Sequence, residues 1–253
     1  MTPTPKLAPS RAGREVRSQS DVVVDGIKDM ITSGRLQPGS RLAVEHELAE
    51  QLGVSRGSLR EGVRALALMG VLETRQGAGT YVTSLDPSTL LGPLGVLVEL
   101  QRPENIIHLM SVRRVLEVEA AGRAALRITD AELAAAADAL HRMEGMIDHD
   151  SVDHDAVMET DIDFHRVIAE ASGNPTLTAM IHGLAGRTIR ARMWRALHKE
   201  GIERETFAEH EAILAALNVR DPDAARLRMG VHLLSVEQYL REHLEADVDW
   251  ATS

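Results

Sequence analysis

Glu45 to Gly70 reads EHELAEQLGVSRGSLREGVRALALMG. Its apolar residues fall at helical spacing in two short runs: Leu48, Leu52 and Val54, then Leu59, Val63, Leu66 and Leu68. Gly53 stands where the chain must turn between them, and Ser55 is placed to cap the second helix. Gly70 follows the run, where a helix C-terminus favours a positive φ. The other side of the second helix shows Ser55, Arg56, Ser58, Arg60 and Arg64. Hydroxyls and a helix N-terminus suit phosphates, and guanidiniums suit guanine edges, so the pair fits a DNA major groove. A solvated helical hairpin has the same spacing, and on the pair alone that reading stays open.

The next residues narrow the choice. Val71 to Arg75 and Thr80 to Val82 are short strand-like runs, and Gln76-Gly77-Ala78-Gly79 between them is a hairpin turn. A hairpin directly after a DNA-reading helix is a wing, with Arg75 and Gln76 at its tip. Residues 20–83 resemble the winged helix-turn-helix of the GntR family of bacterial transcription regulators. The resemblance is carried by SGRLQPGSRL at 33–42, ELAEQLGVSRGSLREGVRAL at 47–66 and GVLETRQGAGTYV at 70–82. It implies a homodimer on a palindromic operator in double-stranded DNA. The contacts it implies come from Arg56, Ser58, Arg60 and the wing around Gly77. With their neighbours, the DNA-facing set is Arg41, His46, Ser55, Arg56, Gly57, Ser58, Arg60, Arg75, Gln76 and Gly77. Two members depart from the family pattern. His46 stands where Arg is frequent, and Gly57 where a hydroxyl residue is common.

Composition sets outer bounds. The 253 residues are 44% hydrophobic but only 2% aromatic, a mix that favours helix packing over sandwiches or barrels. There is no cysteine, which excludes disulfides, thiolate metal sites and a thiol nucleophile. No apolar run approaches the roughly 18 residues of a membrane span, and the N-terminus shows no signal-peptide core, so a cytoplasmic protein away from membranes is expected. The net charge of −10 is unevenly placed. Through residue 82 there are 11 Lys and Arg against 9 Asp and Glu; the remainder has 17 against 29. A locally basic head is what phosphate binding needs, whatever the global balance.

Taken in order, residues 1–18 read as a disordered arm, with Lys6, Arg11, Arg14 and Arg17 as possible phosphate contacts or an inert tail. Residues 19–83 form the winged helix-turn-helix. Its first helix carries Val22, Val23, Ile27, Met30 and Ile31 and ends near Gly34; a turn at Pro38-Gly39 and a short strand at Ser40-Arg41-Leu42 follow. Residues 84–90 are a linker, and 91–247 an all-α effector and metal-binding domain. Helices are expected near 88–100, 104–127, 130–148, 152–172, 175–198, 203–218 and 222–245. Thr129 to Glu132 is a capping box, and Asn174-Pro175 and Asp221-Pro222 each set a capping residue before a first-turn Pro. The fold class is therefore mainly α: a winged head followed by a helical bundle.

The second domain holds the metal chemistry. Asp161 and His165 lie four apart and share one helix face. His210 and His232 are embedded among apolar residues on helices that should line the bundle. One carboxylate and three imidazoles suit a borderline divalent cation such as Zn, Ni or Mn. On spacing alone, hydrogen-bonded core histidines explain the same pattern. Residues 91–245 resemble the FadR-type (FCD) ligand-binding domain of GntR regulators, through Arg113 and Glu117 in SVRRVLEVEAA, the Asp161 to His165 pair, ASGNPTL at 171–177, His210 and His232. In that domain these four positions bind a metal, and an organic acid binds at or beside it. Arg113 matches the position that can face the effector carboxylate; a structural ion pair with a Glu is the competing reading. Arg190 or Arg192 can play the same part. His108, His141, His149, His154, His182, His198 and His243 read as surface or structural.

The expected function is a metabolite-responsive transcription regulator, first of all a repressor, with a small carboxylate effector. Ligand entering the helical domain is expected to change its packing on the linker near Leu85 to Leu91 and so the spacing of two DNA-reading heads. The alternative is a metal-dependent hydrolase or lyase with a DNA-binding appendage. Against it, no H-E-x-x-H or second carboxylate base accompanies the ligand set. A weaker alternative is an effector-free DNA-binding protein with a structural metal.

Overall fold

The computed structural model describes residues 18–101, 105–147, 152–199 and 201–243; within 175–198 it leaves aside the side chains of residues 186, 187, 190, 191, 194, 197 and 198. Residues 1–17 of the expected arm, His149, and the side chains of Arg190 and His198 thus lie outside the described residues. The chain divides into two compact units, Met1–Ser84 and Leu85–Ser253.

The first unit contains α1 (Gln19–Thr32), α2 (Glu45–Leu52), α3 (Arg56–Leu68), β1 (Leu72–Arg75) and β2 (Gly79–Val82). Ser18 caps α1, and the Asp21 side chain accepts from the Ser18 N–H in return. Val23, Ile27 and Met30 of α1 pack with Leu48 and Ala49 of α2 and with Leu59 and Leu66 of α3 in the interior. Gly62 permits this approach: a Cβ there would stand 2.6 Å from the Cβ of Val23. Gly53 takes left-handed angles, φ 66 and ψ 35, which lets α2 end and α3 begin within three residues. The Ser55 Oγ accepts the Ser58 N–H at 3.1 Å, a cap worth about 1 kcal/mol. β1 and β2 pair antiparallel, with Glu73 opposite Tyr81.

Two local expectations are corrected. Leu68 is 80% exposed rather than part of the α3 core stripe. It lies two residues past Leu66, roughly 200° around a helix of 3.6 residues per turn, and so points outward. The strand expected at Ser40-Arg41-Leu42 is a single bridge between Arg41 and Tyr81. The segment meets the edge of β2 only between the turn at Gly39 and the start of α2.

The second unit is helical: α4 (Pro87–Leu90), α5 (Pro93–Glu99), α6 (Ile106–Ala125), α7 (Asp130–Ile147), α8 (His154–Ala171), α9 (Pro175–His198), α10 (Ile202–Asn218) and α11 (Pro222–His243). The one helix expected over 88–100 is two, and the first falls within the expected linker. Pro93 has no N–H to continue a helix from Leu90, so it starts a new one at its first position. The caps on α7, α9 and α11 are present: Thr129 with Glu132, Asn174 accepting the Leu177 N–H at 3.2 Å, and Asp221 accepting two first-turn N–H groups at 3.0 Å.

Small residues bring these helices close. Ala121, Ala124 and Ala125 of α6, Ala136 and Ala139 of α7, and Ala225 of α11 are buried around Phe164, Ile168, Ile213 and Leu217. α6 packs along α11, α7 along α8, and α9 against α4, α5, α6 and α8. Among the described residues no helix is long and apolar enough to cross a membrane.

Candidate DNA interface and metal centre

In the first unit, a groove of about 580 Å³ runs between α3 and the wing. Arg41, Arg60, Arg75, Gln76 and Gly77 of the expected DNA-facing set line it. Ser55, Arg56 and Gly57 are exposed at the start of α3, Ser58 is half-buried there, and His46 is exposed on α2. Ser55 and Ser58 share a hydroxyl hydrogen bond at 2.9 Å, so both are already engaged with the helix N-terminus.

Two of the guanidiniums are paired. Arg60 donates to Glu45 through Nε at 3.0 Å and Nη2 at 2.8 Å, although both side chains are more than half exposed. Arg75 bonds Glu73 through Nε at 3.0 Å and lies 4.4 Å over the Tyr81 ring. The cross-strand register puts Tyr81 opposite Glu73, which is why one face of the hairpin gathers this trio. Arg41 lies against Gly79, where a Cβ would come within 2.8 Å of the Arg41 Nε. Arg64, which the sequence places on the same outward side of the second helix, lines the groove too, and so does Glu45, which the sequence reading does not single out.

In the second unit, the bundle brings Asp161, His165, His210 and His232 to one place. One ligand atom from each lies within 4.8 Å of the others, and all four residues are buried. The Asp161 Oδ1 stands 3.8 Å from the His165 Nε2 and 3.6 Å from the His210 Nε2. The Nε2 atoms of His210 and His232 are 3.3 Å apart. α8 supplies the first two residues at a spacing of four; α10 and α11 supply one imidazole each. The Phe164 ring stacks on His210 with centroids 4.6 Å apart and fixes that imidazole from one side.

Partners behind the cluster orient it. Glu117 on α6 bonds the His165 Nδ1, which turns the Nε2 inward. Glu209 bonds the His232 Nδ1 at 2.8 Å. Carboxylates behind imidazoles are the usual support of a metal-binding His. The Asp161 Oδ2 accepts from the Arg192 Nη1. The His165 Nε2 is buried without any hydrogen-bond partner. An imidazole nitrogen held inward with nothing to bond, beside two more and a carboxylate, is the donor set that a divalent cation fits.

The electrostatics agree with that fit. Burial pushes His210 and His232 well below the ordinary imidazole value, and the other imidazoles add to the shift, so both are neutral near pH 7. Burial alone would raise the carboxyls of Asp161 and Glu117. Arg192 and the imidazoles overcome it for Asp161, and Arg113, His165 and Arg192 for Glu117, so both stay ionised. Burial and the nearby Arg113 push Arg192 down to about 10, which leaves it charged.

Arg113 is 2% exposed, pairs with Glu117 and donates to the Thr188 Oγ1 at 3.1 Å. The ion-pair reading of this residue is therefore realised, and the guanidinium also lines a cavity of about 240 Å³ with His165, His182, Ile189 and Arg192. Of the other histidines, His154 pairs with Glu203 at 2.8 Å, His243 stacks on Tyr239, and His108, His141 and His182 are exposed. The sequence marks Glu117 only through the motif it carries and Arg192 only as an alternative to Arg113. Glu209 directly precedes His210, but no motif in the sequence marks it.

Comparison with known proteins follows the same division. The family model described as "Bacterial regulatory proteins, gntR family" matches residues 19–82, and that described as "FCD domain" matches residues 108–235. The chain is 33% identical over 224 residues to the HTH-type transcriptional regulator LutR of Bacillus subtilis (strain 168), covering 87% of this chain and 100% of that one. It is 31% identical over 242 residues to the HTH-type transcriptional repressor NanR of Citrobacter rodentium, covering 90% of each. Among solved structures, the GntR protein of Streptococcus agalactiae matches with a TM-score of 0.59 at 26% identity, over 87% of this chain and 99% of that one.

Proposed function

The chain belongs to the GntR family of bacterial transcription regulators, in the branch that carries an FCD domain, and on that premise we propose that it is a repressor released by a small carboxylate bound at a divalent metal. It is a DNA-binding regulator, not an enzyme. Beside the ligand set, Glu117 and Glu209 are each bonded to an imidazole, so neither stands as a free base for the hydrolase or lyase alternative. As a homodimer it would set two α3 helices in successive major grooves of a palindromic operator, roughly 34 Å apart. Ser55, Arg56, Gly57, Ser58 and Arg60 face the groove; His46 meets the backbone; Arg41, Arg75, Gln76 and Gly77 bring the wing to the flanking DNA. Such a regulator works in the bacterial cytoplasm.

The observation that carries the sensor half is the convergence of Asp161, His165, His210 and His232 in a buried cluster. These four would hold the cation, with Zn, Ni and Mn all compatible with the donors. Bound there, it supplies positive charge and open coordination positions to an anionic ligand. Arg113 and Arg192 add guanidinium charge beside it. Because Arg192 lies on α9, and α9 packs on α4 and α5, a shift of α9 reaches the elements that follow the DNA-reading head in the chain. The ligand acts only as far as its affinity differs between the DNA-binding and released states.

Anisotropy titration of the protein on DNA from its own promoter region tests this. Metal-loaded protein should lose operator affinity at least about fivefold with one class of small acid, the lower end of usual coupling. Operator binding that no small acid alters, with or without metal, refutes the sensor.

A further inference from the structure

Val112 and Val115 of α6 and Leu227, Val231 and Leu234 of α11 stand in solvent, with Val115 and Leu227 each 64% exposed. Steps of three and four residues put them in one apolar stripe on each helix. The two helices pack along each other and run antiparallel: Arg114 bonds Glu237 at 2.8 Å, and Arg226 lies 3.8 Å from Glu119. Gly230 lies at the same seam, where a Cβ would stand 3.5 Å from the Val118 side chain. Val115 follows Arg114, and Val231 follows Gly230. One step along a helix turns about 100°, and in an antiparallel pair both steps turn to the same side. The stripes therefore form one face. Among the described residues none covers it.

The five side chains expose roughly 450 Å² of apolar surface, about half of the roughly 800 Å² per partner that a stable interface buries. Charge is confined to the two ends of the face. At one end Glu119 lies 4.0 Å from Arg123 and 3.8 Å from Arg226, and Arg226 bonds Asp223 at 3.1 Å. At the other, Arg114 and Arg241 share the buried Glu237. Between them the stripes carry the five apolar residues and Gln238, none of them charged. An apolar centre within a polar rim is the anatomy of a protein interface.

Charge and symmetry point to the occupant. Beyond residue 82 the chain has 17 Lys and Arg against 29 Asp and Glu, and that excess weighs against self-association elsewhere on this unit. On this face the charges are matched within the chain, so a copy meets no net repulsion. A twofold contact needs a patch complementary to itself, which an uncharged apolar face is. We propose that the outer face of α6 and α11 seats the same face of a second copy, two helices on two. This rests on the homodimer reading above and names the surface that it left open. Val112 precedes Arg113 and Val231 precedes His232, so the pairing face is the outer side of helices whose inner side serves the cation cluster.

Sedimentation equilibrium of the full chain tests the assignment. Val115→Lys and Val231→Lys should each raise the dimer dissociation constant at least about thirtyfold, with helical circular dichroism unchanged. Lys is chosen because added positive charge on an acidic protein would otherwise favour association. Leu97→Lys, on the exposed apolar side of α5, should leave the constant as it is. In the wild type, hydrogen exchange over 111–119 and 227–238 should slow on passing from monomer to dimer concentrations. Wild-type dimerisation in both Val variants, dissociation by Leu97→Lys in their place, or no slowing over the two segments each overturns this face while the homodimer reading stands. A wild type that sediments as a monomer at every concentration ends the homodimer reading itself.

Discussion

The Nε2 atoms of His210 and His232 face each other 3.3 Å apart, and both side chains are buried. Both imidazoles cannot carry a proton on the facing side without repulsion, and each has its charged form disfavoured by burial. A cation between them relieves the conflict, since both nitrogens can then donate electron pairs.

Replacement of His165 and His210 by Ala together should abolish stoichiometric divalent metal, read by elemental analysis. In the wild type, metal at a hundred times its dissociation constant should add about 2.7 kcal/mol. For a protein of this size that raises the melting temperature by roughly 5 to 10 °C. The double variant should show no such rise.

Acid should weaken the metal-free protein in two stages. A His whose pKa is lower when folded takes up its proton more readily when unfolded. Stability from His210 and His232 is therefore complete above the ordinary imidazole value near 6.5 and is lost as the pH falls below it. The slope is about 1.4 kcal/mol per pH unit for each imidazole. Asp161 and Glu117, also lowered, add a second loss only below the ordinary carboxylate range, at about pH 4. Melting temperatures between pH 7.5 and 5 report the first stage; a flat profile there contradicts it.

Glu117 acts through His165 rather than on the cation. Glu117→Gln should lower metal affinity about 10- to 100-fold in a chelator competition. It should also destabilise the fold by about 3–5 kcal/mol, because Arg113 loses its buried partner. An unaltered affinity would show that His165 is held in place by packing alone.

On the DNA side, Arg60→Ala should weaken operator binding and lower the salt slope by about 1 if the residue meets a phosphate, or relax base selectivity if it reads a base. Glu45→Gln should do the opposite to affinity. Releasing Arg60 from an exposed ion pair should strengthen binding to unrelated DNA by about two- to fivefold. Equal non-specific affinity in the variant and the wild type would mean that the pair opens at no cost.

Gly62→Ala should destabilise the DNA-reading head by about 1–3 kcal/mol, because its Cβ would overlap that of Val23. Thermal unfolding of the variant measures this, and a wild-type melting curve would show that α1 and α3 can separate freely.

The head and its caps were legible because their signals are local: Gly53 and Ser55 mark a turn, and Gly77 marks the wing. The ligand set was partly legible for the same reason, since Asp161 and His165 are four apart on one helix. What surrounds it was not. Arg192 reaches Asp161 across 31 residues, and Glu117 reaches His165 across 48. No periodicity records such a pairing. Charged residues on helices are expected in solvent, and here Arg113, Arg192 and Arg195 are interior. Helices buried on several sides, such as α6, also lose the two-faced pattern that tells inside from outside. Leu68 shows the converse: an apolar residue at the end of a stripe reads as core, and the helix turns it outward.

Asp161 turns one oxygen toward the imidazoles and gives the other to Arg192. Any anion that competes for Arg192 loosens that second grip and leaves more negative charge facing the cation. On the proposed function, metal and acid would then reinforce each other, and by reciprocity each would tighten the other's hold. Under the proposed function, such a sensor would answer neither acid supply nor metal supply by itself but their coincidence, and a cell starved of the ion would keep the gene shut even with the acid abundant.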